Sequence, residues 1–289
     1  MDFQDFVGRL TRASVVVTVF QSGIDSEVGI MKRPKTRYLC WSQGRSALSV
    51  AKRATVNILA DHGDGTYQIG TGILFRSKKD YYILTAAHVV GRLSHRAYKL
   101  IISSEMVGSL ILGEDAKNSY PSSLMPNLDI TWIRVPGEMI PKSDTGSFLC
   151  QGDLELEPWS GEGDFLLVGY PMGGCVPGRK GLRQGGWLQN HTLPLEMEVS
   201  HFHGVTEGLG GYDEKLHLLF SFQRRRGLSS RGPSIMVGFP DGLRGVSGSG
   251  VWKVNGKTKL VSIQTGFYER RRLIKSTKVL AIKEILELC

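Results

Sequence analysis

The stretch DYYILTAAHVV, residues 80–90, is an apolar, strand-like run that ends on a histidine. Two small residues, Ala86 and Ala87, precede His88, and small side chains there would let a second chain segment approach the imidazole ring closely. A histidine in this position is either a buried structural residue or a base that serves a reactive partner. Which of the two it is depends on the acids and nucleophiles found elsewhere in the chain.

The stretch NLDITWIRV, residues 127–135, supplies an acid at the start of a second apolar run. On a strand, the side chain of Asp129 points away from those of Leu128 and Ile130, so it can face a polar partner. Apolar surroundings raise the cost of leaving such a carboxylate unpaired. The competing interpretation is a strand-start cap, and Asp115 and Asp164 are alternative acids.

The stretch GVSGSGVW, residues 245–252, crowds glycine and serine around Ser247 before two large apolar residues. It is either a flexible linker or a tight turn that presents a reactive serine. A serine hydroxyl becomes a nucleophile only when a base takes its proton and a third group orients that base. No His or Asp follows Ser247, which excludes the α/β-hydrolase order, and Ser249 breaks the GxSxG elbow. A subtilisin order would put the acid first, so the order that remains is His, Asp, Ser.

These motifs together resemble the trypsin/chymotrypsin-like serine proteases. TAAHVV, L-D-I-x-W-I-x-V and G-x-S-G occur in the same order, and GTGILF precedes the histidine strand as it does in that family. The bacterial trypsin-like peptidases that lack disulfides resemble the chain most. The resemblance covers roughly residues 50 to 270.

The resemblance implies a role for each motif. His88 is similar in position to the general base, Asp129 to the orienting acid and Ser247 to the nucleophile. The backbone N–H groups of Gly245 and Ser247 resemble the oxyanion hole. The implied activity is that of a serine endopeptidase acting on protein or peptide substrates, without a cofactor.

Two further segments gain an interpretation from the resemblance. LVSIQTG resembles the strand that lines the specificity pocket, which would place Ser262 to Gly266 beside the substrate. Asp241 lies six residues before Ser247, where an acid in trypsin-like members selects Arg or Lys. The alternative for Asp241, which follows Pro240 and precedes Gly242, is an ordinary turn.

One position departs from the secreted, proteolytically activated members of the family. Those proteins carry an acid just before the nucleophile, and it pairs with the new N-terminal amine after cleavage. Here that position holds Val246, so the switch is absent. Either the activity is constitutive, or another route controls it, such as a partner protein or a ligand.

The glycine content and the pattern of short apolar runs predict a mostly β fold. The 36 glycines among 289 residues suit short strands joined by tight turns. Short runs rich in Val, Ile, Leu, Tyr and Phe are separated by turn residues, as in a sandwich or barrel. The strand-like runs from residue 54 onward are TVNILA, TYQIGTGILF, DYYILTAAHVV, YKLIIS, LDITWIRV, DFLLVGYP, KLHLLFSF, SIMVGF, GVW and KLVSIQTGF.

The predicted architecture is a chymotrypsin-like double antiparallel β-barrel with a helix at each end. The first ten residues have helical apolar spacing, and ASVVVTVF after them is strand-like, whereas residues 24–50 give no clear signal. The last residues, KSTKVLAIKEILELC, predict an amphipathic helix through Val279, Ile282 and Leu286. The expected divisions are an N-terminal extension at 1–50, a first barrel at 51–145, a second barrel at 146–274 and a C-terminal helix at 275–289.

Composition favours a cytoplasmic protein. No stretch approaches the roughly 18 apolar residues of a membrane helix, and the N-terminus does not resemble a secretory signal. The cysteines lie too far apart along the chain for a zinc site or a disulfide framework, which favours free thiols and a reducing compartment. They are Cys40, Cys150, Cys175 and Cys289.

Two other function classes remain open, and the first of them follows from the charge of the chain. The formal net charge is +9, with dense arginine clusters at 224–226 and 270–272. A basic nucleic-acid-binding protein is one alternative, although no aromatic residues alternate with these arginines as in single-strand binders. A protease-like fold that acts as a non-catalytic binding module is the other. Salt-dependent DNA or RNA binding that survives loss of Ser247 would distinguish the former.

His201 and His203 are the remaining candidate ligands for a metal. They lie two residues apart and would share one face of a strand. Because no cysteine or acidic cluster lies near them in sequence, we interpret them as surface histidines and predict no metal site.

Overall fold

The computed structural model describes residues 41–61, 66–78, 80–91, 99–104, 108–112, 128–158, 162–171, 195–228 and 243–283. The described residues from Arg45 onward lie in one compact unit. The predicted N-terminal helix and the strand ASVVVTVF lie outside the described residues, as do the run SIMVGF and the end of the chain after residue 283.

A helix that the sequence did not reveal opens the described chain. It is α1 (Trp41–Ala54), and it crosses the expected boundary at residue 50. Among its described side chains, the buried ones are those of Ala47, Ala51 and Ala54. Alanines add little to an apolar pattern, which explains why the periodicity was weak. Thr55 Oγ1 donates to the Ala51 carbonyl at 2.7 Å and so joins the end of α1 to the first strand.

The first sheet has six described strands, all antiparallel to their neighbours, in the order β5-β4-β1-β2-β3-β6. A short helix, α2 (Ala87–Gly91), follows β3 directly and carries His88. The strands are β1 (Thr55–Asp61), β2 (Thr66–Ser77), β3 (Asp80–Ala86), β4 (Lys99–Ser104), β5 (Gly108–Leu112) and β6 (Ile130–Val135).

The second sheet closes into a six-stranded antiparallel barrel in the order β10-β11-β12-β9-β8-β7. Trp252, which follows the Ser247 loop, is fully buried in it, as the sequence pattern indicated. The strands are β7 (Phe165–Gly169), β8 (Leu195–His201), β9 (His217–Leu228), β10 (Gly250–Lys253), β11 (Lys259–Tyr268) and β12 (Leu273–Lys278).

The predicted fold class is confirmed: the described part of the chain is mostly β, and its strands form two antiparallel units, one for each sheet. Each unit has its own apolar core. In the first sheet, residues such as Ile58, Leu74 and Ile83 are buried together with Val89 of α2. In the closed barrel, Phe165, Phe220 and Val246 belong to one buried cluster. Because Val246 is buried there, the residue before Ser247 helps to fix its loop.

Residues 275–278, which the sequence assigned to a C-terminal helix, form the end of a strand instead. They belong to β12, which pairs with β9 and β11 and closes the barrel beyond the expected boundary at 274. The prediction was wrong there because polar residues interrupt the strand pattern: Ser276 and Thr277 are buried by hydrogen bonding rather than by apolar packing. A 3-10 turn, Val279–Ile282, then buries Val279 and Ile282, two residues of the predicted helical stripe.

The chain between the two sheets contacts both of them. Leu149 pairs with Phe75 of the first sheet, and Leu154 pairs with Leu260 of the closed barrel. In the same segment, the Glu155 N–H donates to the Leu260 carbonyl at 2.8 Å. No helix in the described part of the chain is both long and apolar enough to cross a membrane.

Candidate active site

His88 and Asp129 form a hydrogen-bonded pair at the edge of the first sheet. His88 Nδ1 lies 2.7 Å from Asp129 Oδ2. The other carboxylate oxygen, Oδ1, accepts the backbone N–H of His88 at 3.0 Å. The side chain of His88 is 38% exposed and that of Asp129 is 26% exposed, so the pair is open to a third group. With Nδ1 committed to the acid, Nε2 is the ring atom that can act as a base.

The backbone of Asp129 also contributes to this arrangement. Its carbonyl accepts the N–H of Ala87 at 2.9 Å, so one residue holds the start of α2 in three places. Its φ is +50°, in the left-handed region that Asp tolerates better than most residues. This turn places Asp129 just before β6, as the sequence predicted, and aims its carboxylate at α2.

The Ser247 loop lies at the start of β10 in the closed barrel. Gly245 and Gly248 have φ of +85° and +92°. The Gly248 N–H donates to the Gln264 carbonyl at 2.8 Å, and the Gln264 N–H donates to the Ser249 carbonyl at 2.8 Å. The loop is therefore a tight turn bonded to β11, and the linker interpretation is excluded.

One residue of the first sheet joins this loop to the other half of the site. The Thr71 N–H donates to the Ser247 carbonyl at 2.8 Å, and Thr71 Oγ1 donates to the Gly245 carbonyl at 2.9 Å. The same hydroxyl accepts the N–H of Tyr170 at 2.9 Å. We call this group, Thr71 with Tyr170, Gly245 and Ser247, the inter-sheet seam.

The seam brings the Ser247 loop beside α2. An added Cβ on Gly70 would lie 2.5 Å from Val89 and 3.1 Å from the Ser247 carbonyl oxygen, so Gly70 touches both the neighbour of His88 and the loop. Among the described residues, the Ser247 hydroxyl has no hydrogen-bond partner, and His88 Nε2 has none either. In ligand-free enzymes the bond between nucleophile and base is often long and shortens when substrate binds.

The two amide groups predicted for the oxyanion hole have no acceptor among the described residues. In the described ranges, neither the Gly245 N–H nor the Ser247 N–H donates to a protein acceptor, while the N–H groups of Val246, Gly248 and Ser249 all do. A turn that leaves two alternate donors free is able to bind a negatively charged oxygen.

The predicted substrate segment is only partly accessible. Ser262 is fully buried, and its hydroxyl donates to Ser276 at 2.9 Å, so the Ser262 side chain offers nothing to a substrate. Gly266, at the other end of the segment, is half-exposed. Asp241 and the alternative acid Asp115 lie outside the described residues. Asp164 precedes β7, and its backbone pairs with Val254 of the closed barrel rather than with α2.

Sequence reasoning missed three residues that shape the site. Thr71 is one of them. Thr277 donates its hydroxyl to the carbonyl of Leu128, next to Asp129, at 2.6 Å. Lys275 pairs with Gly266 across β11 and β12. None has a local signature, because each contact depends on how distant strands align; the threonine in GTGILF was the nearest available signal.

His201 and His203 lie away from this site. Their rings contact each other, with His201 Nδ1 3.1 Å from His203 Nε2. They line a cavity of about 480 Å³ together with Glu155, Tyr212 and Lys278. Burial, the charge of His203 and the charge of Lys278 lower the pKa of His201 to about 4. In the part of the chain that the structure describes, no group of three or more His, Cys, Asp or Glu side chains is arranged to hold a metal ion.

Comparison with known proteins identifies the architecture. No model of a protein family matches the sequence, and no curated protein sequence matches it. A thermostable serine protease, AL20, from an extremophilic microorganism is similar in structure over 83% of this chain and 97% of its own, with a TM-score of 0.51 and 9% identity. The chain has the chymotrypsin-like fold. Deg5 is similar over 84% of this chain and 92% of its own, with a TM-score of 0.50 and 13% identity.

In the chymotrypsin-like fold, the predicted catalytic residues are divided between the two units. The predicted base and acid, His88 and Asp129, belong to the first unit, and the predicted nucleophile, Ser247, belongs to the second. The likeness establishes the fold that this chain shares with those proteases.

Proposed function

We propose that the chain is a serine endopeptidase in which Ser247 is the nucleophile, His88 the general base and Asp129 the orienting acid. The observation that carries the proposal is the 2.7 Å contact between His88 Nδ1 and Asp129 Oδ2. This contact leaves Nε2 as the basic atom of the ring. His88 belongs to the first unit, to which the inter-sheet seam joins the Ser247 loop. The fold, shared with serine proteases, supports the same conclusion.

The reaction begins when His88 Nε2 accepts the Ser247 hydroxyl proton and the Ser247 oxygen attacks the substrate carbonyl carbon. Asp129 stabilises the imidazolium that forms. The carbonyl oxygen becomes negatively charged and binds the amide N–H groups of Gly245 and Ser247, each worth about 10²–10³ in rate. His88 then donates its proton to the leaving amine, the peptide C–N bond breaks, and water hydrolyses the acyl-enzyme by the same steps.

Labelling with a fluorophosphonate probe tests the proposal. We expect the wild type to form a covalent adduct on Ser247, which Ser247→Ala abolishes and His88→Ala slows by about 10⁴-fold or more. Ser200→Ala, at an exposed serine of the closed barrel, is the control and should label like the wild type. Equal labelling of wild type and Ser247→Ala would remove Ser247 from the mechanism. A folded wild type that takes no label would favour the binding-module alternative.

The arginines offer less support to a nucleic-acid-binding function. Arg271, in the cluster at 270–272, donates through Nη1 to the Val205 carbonyl and through Nη2 to the Glu207 carbonyl, each at 3.1 Å. This side chain holds a loop of its own protein. The side chains of the cluster at 224–226 lie outside the described part of the structure.

A further inference from the structure

Lys275 lies beside the one half-exposed end of the predicted substrate segment. It is the direct partner of Gly266 in the pairing of β11 with β12. An added Cβ on Gly266 would lie 3.1 Å from Lys275 Cε and 3.5 Å from its Cβ. The two residues therefore project on the same face of the sheet, and the aliphatic part of Lys275 occupies the space that a side chain at 266 would need.

The ammonium group of Lys275 is held in place without being neutralised. Its Nζ donates to the carbonyl of Gly211 at 3.1 Å. The side chain is half-buried, and in the described ranges no carboxylate forms an ion pair with it. Three other lysines of the closed barrel do have carboxylate partners: Lys253, Lys257 and Lys259. A carbonyl uses one of three N–H donors, so two remain for a ligand.

The loop that holds this ammonium group is itself fixed to the β11–β12 hairpin. Tyr268 Oη donates to the Gly210 carbonyl at 2.8 Å, and Lys278 Nζ donates to the Glu214 carbonyl at 2.6 Å. With Arg271 on the carbonyls of Val205 and Glu207, side chains from one hairpin fix the loop from 205 to 214. Lys275 is thus part of a pre-organised wall rather than a mobile surface lysine.

The strand places this cation close to the Ser247 loop. Gln264, which bonds to Gly248 and Ser249, comes two residues before Gly266, with an irregularity of the strand between them, so the two residues are at most about 7 Å apart. Consider a substrate whose scissile carbonyl reaches Ser247 while its backbone follows β11. The residue that bears this carbonyl then directs its side chain toward Lys275.

We propose that Lys275 is the specificity residue of this site and that it selects substrates with Asp or Glu immediately before the scissile bond. The inference rests on the proposed function. A charge-assisted hydrogen bond between this ammonium group and a carboxylate favours the acidic substrate over its amide analogue by about 10- to 100-fold in kcat/KM. An acid at Asp241 acting on the pocket would give the opposite preference, for Arg or Lys.

Peptidyl diphenyl phosphonates that differ only in the side chain next to the reactive phosphorus test this inference. The rate of labelling at Ser247 is measured for probes with glutamate-like, glutamine-like and lysine-like side chains, beside the neutral fluorophosphonate. We expect the glutamate-like probe to react at least about 10-fold faster than the glutamine-like one. Lys275→Met should abolish the difference, Lys275→Arg should retain it, and Lys275→Glu should reverse the preference toward the lysine-like probe.

Lys257→Met is the control. Lys257 is also a lysine of the closed barrel that donates to a carbonyl, that of Gly152, but its described contacts include neither Gly266 nor the 205–214 loop. Its removal should leave the acidic preference intact. Labelling by the fluorophosphonate with no acidic preference, or a preference that survives Lys275→Met, would overturn the inference alone. A folded protein that no probe labels at Ser247 would overturn the proposed function and the inference with it.

Discussion

Asp129 makes more of the contacts that define the site than any other single residue of the predicted triad. Its carboxylate binds the ring and the backbone N–H of His88, and its carbonyl accepts the Ala87 N–H. The left-handed φ of +50° is what directs both groups toward α2. Charge and backbone shape are therefore separate contributions of Asp129, and two substitutions can separate them.

Asp129→Asn should remove activity while sparing the fold, whereas Asp129→Ala should damage both. Asn also tolerates φ near +50° but favours the wrong imidazole tautomer, so we expect fluorophosphonate labelling to slow by about 10³–10⁴-fold. Ala loses the hydrogen bonds and tolerates left-handed φ poorly, so its free energy of unfolding should fall by about 1–3 kcal/mol. Labelling rates and urea unfolding measure the two effects. Wild-type labelling in Asp129→Asn would show that the acid does not orient His88.

Gly248→Ala should destabilise the protein by more than about 2 kcal/mol. Its φ is +92°, and an added Cβ would lie 1.9 Å from the carbonyl oxygen of Thr71, so the substitution strains the backbone and pushes the two sheets apart. Gly256→Ala is the control. Gly256 has a similar φ of +79°, but a Cβ added there would meet no described atom within 4 Å. Only the conformational cost of about 1 kcal/mol therefore applies. Equal losses of thermal stability in the two variants would contradict a close contact at Gly248.

At the scale of strands and loops, the inter-sheet seam depends on one threonine hydroxyl. Thr71 Oγ1 serves Gly245 and Tyr170 at once, and the Thr71 carbonyl accepts the hydroxyl of Thr85 at 2.6 Å. The Ser247 loop thus takes its position from β2 and β3 of the other sheet. Small changes in β2 should therefore reach Ser247.

Thr71→Val keeps the shape of the side chain and removes the hydroxyl. The Tyr170 N–H and the Gly245 carbonyl lose their partner, which should cost about 1–3 kcal/mol and slow labelling of Ser247. Thr131→Val is the matched control, because Thr131 is also buried in the first sheet and its hydroxyl has no partner among the described groups. That change should be neutral or stabilising. Calorimetry on both variants decides, and equal Tm changes would contradict a bonding role for Thr71.

Sequence patterns predicted the elements that are apolar along their length and missed those that are not. Most runs such as TVNILA and DFLLVGYP became strands. The carboxylate of Asp129 does meet a polar partner, His88, but a left-handed turn directs it there rather than the alternation of side chains on a strand. Helix α1 was missed because its buried face is alanine. Strand β12 was missed because Ser276 and Thr277 are buried through hydrogen bonds of their hydroxyl groups. Such residues do not add to an apolar pattern in the sequence.

For the molecule as a whole, His201 should make stability depend on pH. Burial, with His203 and Lys278, lowers its folded pKa to about 4, against 6.5 as the ordinary value. Between these values the unfolded chain binds the proton and the folded chain does not, so the free energy of unfolding decreases as pH falls from 6.5 to about 4, then levels off. We expect about 1 kcal/mol, or a Tm decrease of about 2–4 °C.

His201→Gln isolates that contribution. The difference in Tm between wild type and variant is measured at several pH values, with pH 8 as the reference, so that other titrating groups cancel. Relative to His201→Gln, the Tm of the wild type should decrease progressively as the pH falls below 6.5. A difference that stays constant from pH 8 to pH 4 would contradict a buried neutral His201.

Thr277 of the closed barrel braces the carbonyl of Leu128, immediately before Asp129, so the acid of the site is supported from the opposite half of the molecule. A chimaera whose second half comes from a parent without a hydroxyl residue at position 277 would leave that carbonyl without its donor, even where every strand and loop length agrees. Because any residue at 128 offers the same carbonyl, the hydroxyl at 277 is what a recombinant protein must keep.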